Sequence, residues 1–252
     1  MADYAALVEQ VDTLPADWHG AGSLEPGVLR AIARLAAQRK IEHSAETGAG
    51  RSTLLFSHLS NHHTVFTVDD GASLSRVRES TLLRSQRVEF VEGPTQLTLP
   101  GFHFTAPLQC ILIDGPHEYP APDLEYFYLH RHLAPGGLLI LDDIHIRTIH
   151  NLYRFLKADA MFALLEVVEK TAFFERTGAP LLDPAQDYRD RWWLQGYNQR
   201  RALVGFGPRA LIRWLLPTGV QARLEKPLGR IAALLRRTPG RRAATTGRGR
   251  EG

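Results

Sequence analysis

Residues 110–145 read CILIDGPHEYPAPDLEYFYLHRHLAPGGLLILDDIH. Two short apolar runs, 110–113 and 138–141, each stop at acid: Asp114 after the first, Asp142 and Asp143 after the second. Between them Leu124, Phe127 and Tyr128 recur at helical spacing, and Pro135-Gly136-Gly137 reads as the turn that closes the helix. Strand, helix, Gly/Pro turn and strand make a βαβ unit, and unbroken apolar strands belong to a parallel sheet buried on both faces. Ligands of open α/β sheets bind at the carboxyl ends of the strands, where all three aspartates fall. Carboxylates gathered there cost stability unless they hold a cation or a polar ligand.

Working outward, the pattern repeats. A short helix near 4–11 is followed by a Pro/Gly-broken loop over 14–22. A second helix starts near Ser23, with Glu25-Pro26 behind it and a stripe of Leu29, Ile32, Leu35 and Ala36. Strands are expected at 40–45, 63–68 and 88–91, with helices at 54–59 and 74–83 between them. After the fifth strand come a helix at 146–156 and late strands at 164–174 and 192–197. Alternation through at least five units predicts a doubly wound α/β sheet.

Composition narrows the class. With 252 residues, 44% hydrophobic and 23% charged, the chain is that of a globular protein with a full core. It has no apolar run of membrane-spanning length, and its N-terminus lacks a basic, apolar leader. The single Cys110 lies in an apolar run, which suits a small core residue in a reducing cytoplasm. The net charge of +3 conceals a split: residues 1–199 hold 17 Lys and Arg against 25 Asp and Glu, residues 200–252 hold 13 against 2. Two regions are therefore expected, a domain over 1–199 and a basic extension over 200–252.

Two basic amphipathic helices are expected in the extension, at 208–216 and 227–237. Residues 238–252 carry too little apolar content to order themselves. Trp214 and Leu211, Leu215 and Leu216 beside Arg209 and Arg213 suit weak contact with an anionic membrane at its inner face; the other reading is a solvated tail. Nucleic acid is disfavoured, since no aromatics interleave with the basic residues.

Chemistry concentrates at Glu46-Thr47-Gly48-Ala49-Gly50. A strand turning into a helix through two glycines lets a ligand approach the backbone and meet the positive helix N-terminus. Asp69 follows Gly48 by 21 residues at the next strand end, near the spacing at which an acid holds ribose hydroxyls; Asp70 beside it could trade roles. Thr53 stands where a dinucleotide fingerprint needs its third glycine, which weighs against an NAD-dependent oxidoreductase, the rival enzyme reading. A non-catalytic cofactor-binding or membrane-associated scaffold is the other rival.

In order, ETGAGRST, VDD, VEFVEGPTQ, ILIDGPHEY, LAPGG and LLILDD resemble the motifs of class I S-adenosylmethionine-dependent methyltransferases. More narrowly they are similar to the small-molecule and sugar O-methyltransferases, distantly related to catechol O-methyltransferase, over about residues 20–198. The resemblance implies a Rossmann-like, mostly parallel seven-stranded sheet. It implies Glu46, Gly48 and Gly50 around the methionine part of S-adenosylmethionine, with Ser52 and Asp114 in the same cofactor set. Asp69 would hold the ribose and Gln96 the adenine. It makes Asp114, Asp142 and Asp143 candidate Mg²⁺ ligands; two of them are consecutive, so they can share an ion only if the strand has already ended. His117, three residues after Asp114, matches the position of the general base, and an imidazole there favours an aliphatic or sugar hydroxyl. His145 is read as a surface residue near the pocket, His62, His63, His130 and His132 as structural or exposed, and Trp192-Trp193 as packing beside the last strand. The expected partner is a small-molecule or glycan acceptor, with oligomeric state left open.

Overall fold

A computed structural model describes residues 4–15, 24–68, 73–183 and 194–199. The chain divides into two compact units, Met1–Asp190 and Arg191–Gly252. In the first, a seven-stranded sheet comprises β1 (His43–Thr47), β2 (His62–Thr67), β3 (Val88–Glu92), β4 (Leu108–Ile113), β5 (Leu133–Leu141), β6 (Phe162–Val168) and β7 (Thr171–Arg176). The spatial order is β3-β2-β1-β4-β5-β7-β6; β1 to β5 pair in parallel, and β7 runs antiparallel to both β5 and β6. The chain winds outward in one direction from β1 and in the other from β4, so their carboxyl ends form the topological switch point.

Helices cover both faces, as the unbroken apolar strands require: α1 (Ala5–Asp12), α2 (Pro26–Ala36), α3 (Arg51–Leu59), α4 (Ser73–Glu79), α5 (Thr95–Thr98), α6 (Ala121–Leu129) and α7 (Arg147–Ala158). Alternate residues of β4 and β5 point to opposite sides. Cys110, Leu112, Leu138 and Ile140 pack with α1, α2 and α3. Ile111, Ile113, Leu139 and Leu141 pack with α6, α7 and Phe174. In α2 the stripe of Leu29, Ile32, Leu35 and Ala36 is buried, with Pro26 at its first turn behind the extended Glu25; Ser23 lies outside the described residues.

Four details differ from the sequence reading. β1 is displaced toward its carboxyl end, so Glu46 and Thr47 belong to the strand. Pro135-Gly136-Gly137 is no turn but lies inside β5, which starts at Leu133 after the short 3₁₀ turn His130–His132. There β5 bulges against β4, whose register steps from Leu108↔Leu133 to Cys110↔Leu138. A Cβ on Gly137 would lie 2.6 Å from Leu133 Cδ1 and 2.9 Å from the Ala134 carbonyl oxygen, which explains the glycine. The expected strand over 164–174 is a hairpin, β6 and β7, turning at Glu169 with φ 54°.

The fourth difference concerns α6. Leu124, Phe127 and Tyr128 are only half-buried, while Pro122, Glu125, Tyr126 and Leu129 face the interior. The helix is where the spacing of Leu124, Phe127 and Tyr128 puts it, but a glutamate takes part in its buried face. Of the expected strand over 192–197, residues 194–197 are described, and Gly196 and Tyr197 belong to the 3₁₀ turn Gly196–Gln199 in the second unit; Trp192 and Trp193 lie outside the described residues, as do residues 200–252.

Leu112 is fully buried at the centre of the sheet. Leu112→Ala is expected to lower the unfolding free energy by about 2–5 kcal/mol, measured by denaturant titration with an unchanged slope.

Candidate active site

The Gly-rich loop leaves β1 at the switch point. Gly48 has φ 86°, its N–H donates to the Phe66 carbonyl at 2.9 Å, and a Cβ on it would sit 2.4 Å from the Asp114 carbonyl oxygen. The β1 and β4 loops thus touch backbone to backbone, an approach open only to glycine. Two residues on, the Gly50 N–H donates to Thr53 Oγ1 at 3.0 Å, and that hydroxyl donates in turn to Glu46 Oε1. Thr53 replaces the third fingerprint glycine because its hydroxyl pins the loop to the strand end.

Glu46 is fully buried. His63, also buried, places Nε2 3.2 Å from Glu46 Oε1 and Nδ1 2.7 Å from Ser44 Oγ. The second carboxylate oxygen, Oε2, has no hydrogen-bond partner among the described residues. A buried carboxylate oxygen without a donor suits a ligand that brings an N–H or O–H. Ser52 is buried in the first turn of α3. Gln96 is exposed on the one-turn α5, next to the buried Thr95. Asp69 and Asp70 lie outside the described residues.

The acids lie beside this loop. Asp114 follows β4, its N–H donating to Thr47 Oγ1 at 3.1 Å. Burial pushes its carboxyl well above the ordinary carboxylate range, the charges of Asp142, Glu46 and Asp143 push the same way, and Lys170 opposes them. Asp142 and Asp143 both follow the end of β5, and Asp143 adopts φ 53°, so strand alternation no longer governs them. Asp114, His117 and Asp143 each offer one ligand atom within 4.8 Å of the others. Asp142 is outside this triplet: its Oδ1 accepts from Thr171 Oγ1. Burial raises its carboxyl too, with the Thr171 bond acting against burial.

His117 Nε2 lies 3.3 Å from Asp143 Oδ2, and the His117 carbonyl accepts from Thr148 Oγ1 on α7. His145, mostly exposed, comes to 3.6 Å of Asp143 Oδ1. Three further residues carry no signal in the sequence. Lys170, in the β6–β7 turn, brings Nζ to 2.8 Å from Asp143 Oδ1 and 3.9 Å from Asp142 Oδ2. The Ile144 N–H, donating to the Lys170 carbonyl at 2.9 Å, ties that turn to the acidic loop. Burial works against the Lys170 ammonium, yet the hydrogen bond to Asp143 and the surrounding carboxylates hold its pKa above the ordinary value. His63 was read as structural or exposed; it is buried against Glu46. Glu125 was not singled out at all.

The Glu125 carboxylate accepts from Thr47 Oγ1 at 2.8 Å and from Thr95 Oγ1 at 2.9 Å. Burial raises its pKa to about 7; the bonds from Thr47 and Thr95 act against this and Glu118 adds to it.

Three solved structures share this architecture. An O-methyltransferase TomG from Streptomyces achromogenes, in complex with S-adenosylmethionine, is 16% identical with a TM-score of 0.51 and covers 71% of this chain and 91% of its own. A Bacillus cereus O-methyltransferase with S-adenosylhomocysteine is 16% identical, TM-score 0.52, covering 70% and 92%. A protein from Klebsiella pneumoniae assigned to the O-methyltransferases is 15% identical, TM-score 0.55, covering 71% and 92%. At such identity the likeness speaks for the fold, which is the class I methyltransferase fold. Residues 45–144, from mid-β1 to just past the acidic pair, match the family profile described as a methyltransferase domain. That match spans 100 of the 252 residues and takes in the Gly48 loop and the acids at the ends of β4 and β5. No curated protein sequence matches it.

Glu125 also sets a pH dependence. Its folded-state pKa of about 7 lies above the ordinary 4.5, so the stability it contributes is full below about 4.5 and is lost as pH rises through about 7. Glu125→Gln, which stays neutral, is therefore expected to gain stability relative to the unmodified protein between about pH 5 and about pH 8, by a few kcal/mol at most. Denaturant titrations of both proteins across that range measure it; parallel curves would count against the raised value.

Proposed function

We propose that this protein transfers the methyl group of S-adenosylmethionine to a hydroxyl oxygen of a small-molecule or glycan acceptor, with assistance from a divalent cation. The observation that carries the reading is the convergence of Asp114, His117 and Asp143 at the ends of β4 and β5, against the Gly48 loop. In this reading Glu46, Gly48, Gly50 and Ser52 receive the methionine part, Asp69 the ribose and Gln96 the adenine. The unpartnered, buried Glu46 Oε2 supports a ligand there.

The donor set fits a small cation. Two carboxylates suit Mg²⁺ or Mn²⁺. Asp114 and Asp143 would hold it, with Asp142, fixed by Thr171, adding charge from beside the cluster. S-adenosylmethionine, when bound, supplies an electrophilic sulfonium methyl, and the cation would lower the pKa of the acceptor hydroxyl. With Nε2 directed to Asp143, the His117 imidazole takes the hydroxyl proton at Nδ1, and the Asp143 carboxylate stabilises the imidazolium. Rate comes chiefly from holding the nucleophile in line with the methyl group.

Release of S-adenosylhomocysteine, measured on a panel of hydroxylated glycosides and catechols, tests the assignment. EDTA is expected to abolish turnover and Mg²⁺ or Mn²⁺ to restore it. His117→Ala should lower kcat by about a hundredfold or more. Activity indifferent to EDTA would remove the cation, and full activity in the His117 variant would remove the base.

Among the described residues no helix is long and apolar enough to cross a membrane. The 13 Lys and Arg against 2 acids in residues 200–252 support a weak, peripheral contact with anionic lipid. Cosedimentation with phosphatidylserine-containing vesicles is expected at low salt and is expected to vanish on deleting that segment; no binding at low salt removes the idea.

A further inference from the structure

We infer that Glu125 is a positioning residue that holds the loops after β1, β3 and β4 in register for cofactor binding, an assignment that rests on the function proposed above. The carboxylate sits on α6, fully buried, and touches no space open to a ligand. Its two oxygens reach two different strand ends: Oε2 accepts from Thr47, the residue before Gly48, and Oε1 accepts from Thr95, the residue before Gln96. Thr47 passes the link on, since its Oγ1 accepts the Asp114 N–H. One side chain thereby connects the methionine-side loop, the adenine-side loop and the strand end that carries Asp114 and His117.

Sterics point the same way. A Cβ on Gly115 would lie 2.3 Å from Glu125 Oε1, so the β4 loop runs directly over the carboxylate and only a glycine allows it. The β1 loop in turn touches the Asp114 carbonyl through Gly48. A bulkier group at position 125 would push against the backbone at Gly115. A purely structural role explains the residue poorly. Burying a carboxyl is unfavourable, as its pKa of about 7 records, and a leucine would fill the same helix position without that cost. Polar groups retained in a core against the stability balance mark constraints of function.

Glutamine keeps both links, its amide oxygen accepting from Thr47 and its NH₂ donating to Thr95 Oγ1; leucine keeps the volume and loses both. Calorimetry with S-adenosylmethionine on folded Glu125→Gln and Glu125→Leu proteins, checked by circular dichroism, is the experiment. The Gln variant should bind within about threefold of the unmodified protein, and the Leu variant about tenfold or more weakly. Should the Leu variant fail to fold, Thr95→Val, which cuts only the adenine-side link, is expected to weaken adenosine and S-adenosylmethionine binding by about tenfold. Loss of thermal stability with unchanged affinity in these variants overturns the inference and leaves the proposed function standing. An unmodified protein without affinity for S-adenosylmethionine removes both.

Discussion

A methyl group on residue 48 would collide with the Asp114 carbonyl oxygen at 2.4 Å. That contact sets the distance between the ends of β1 and β4, the two strands from which the chain winds in opposite directions. The loop on one side opens α3 with backbone N–H groups, and the loop on the other begins the acidic cluster. A methyl donor and its acceptor must meet within bonding distance of one another. A doubly wound sheet provides such a place only where its two halves diverge. The glycine is therefore a condition on the geometry of the whole site.

Electrostatics gives the same junction its second character. Glu46, Asp114, Asp142, Asp143 and Glu125 gather at or under the ends of β1, β4 and β5, and burial drives three of them above the ordinary carboxylate range. Local compensation comes in three forms: hydroxyl donors (Thr53, Thr171, Thr47 and Thr95), imidazoles (His63 and His117) and the Lys170 ammonium. Lys170 reaches in from the far edge of the sheet because the antiparallel β6–β7 hairpin turns back beside the end of β5. A site so rich in acid is suited to a positively charged ligand, whether an ion or a sulfonium. The cost in stability is spread over groups whose partners come from three strands, two helices and two loops.

Much of the frame was legible in the chain. Unbroken apolar runs ending in acid announced a two-faced parallel sheet, and the order of the motifs pointed to a methyltransferase domain before any contact was known. Loop chemistry was harder to read. The Pro-Gly-Gly segment looks like a turn, and becomes a bulge inside β5 because the 3₁₀ turn before it already reverses the chain. The buried face of α6 was not legible, because hydrophobic spacing gives no weight to a glutamate that finds two hydroxyls waiting for it.

The sequence by itself determined the class of fold, the strand ends at which chemistry can occur, and the residue types available there, because periodicity and turn composition are local properties of the chain. Only the tertiary structure decided which of those residues meet. Asp143 and not Asp142 joins Asp114 and His117, since a left-handed backbone at Asp143 and the Thr171 hydroxyl at Asp142 send neighbouring carboxylates to different partners. Lys170, His63 and Glu125 entered for the same reason. Their partners lie 17 to 78 residues away in the chain, at separations that no local pattern can encode.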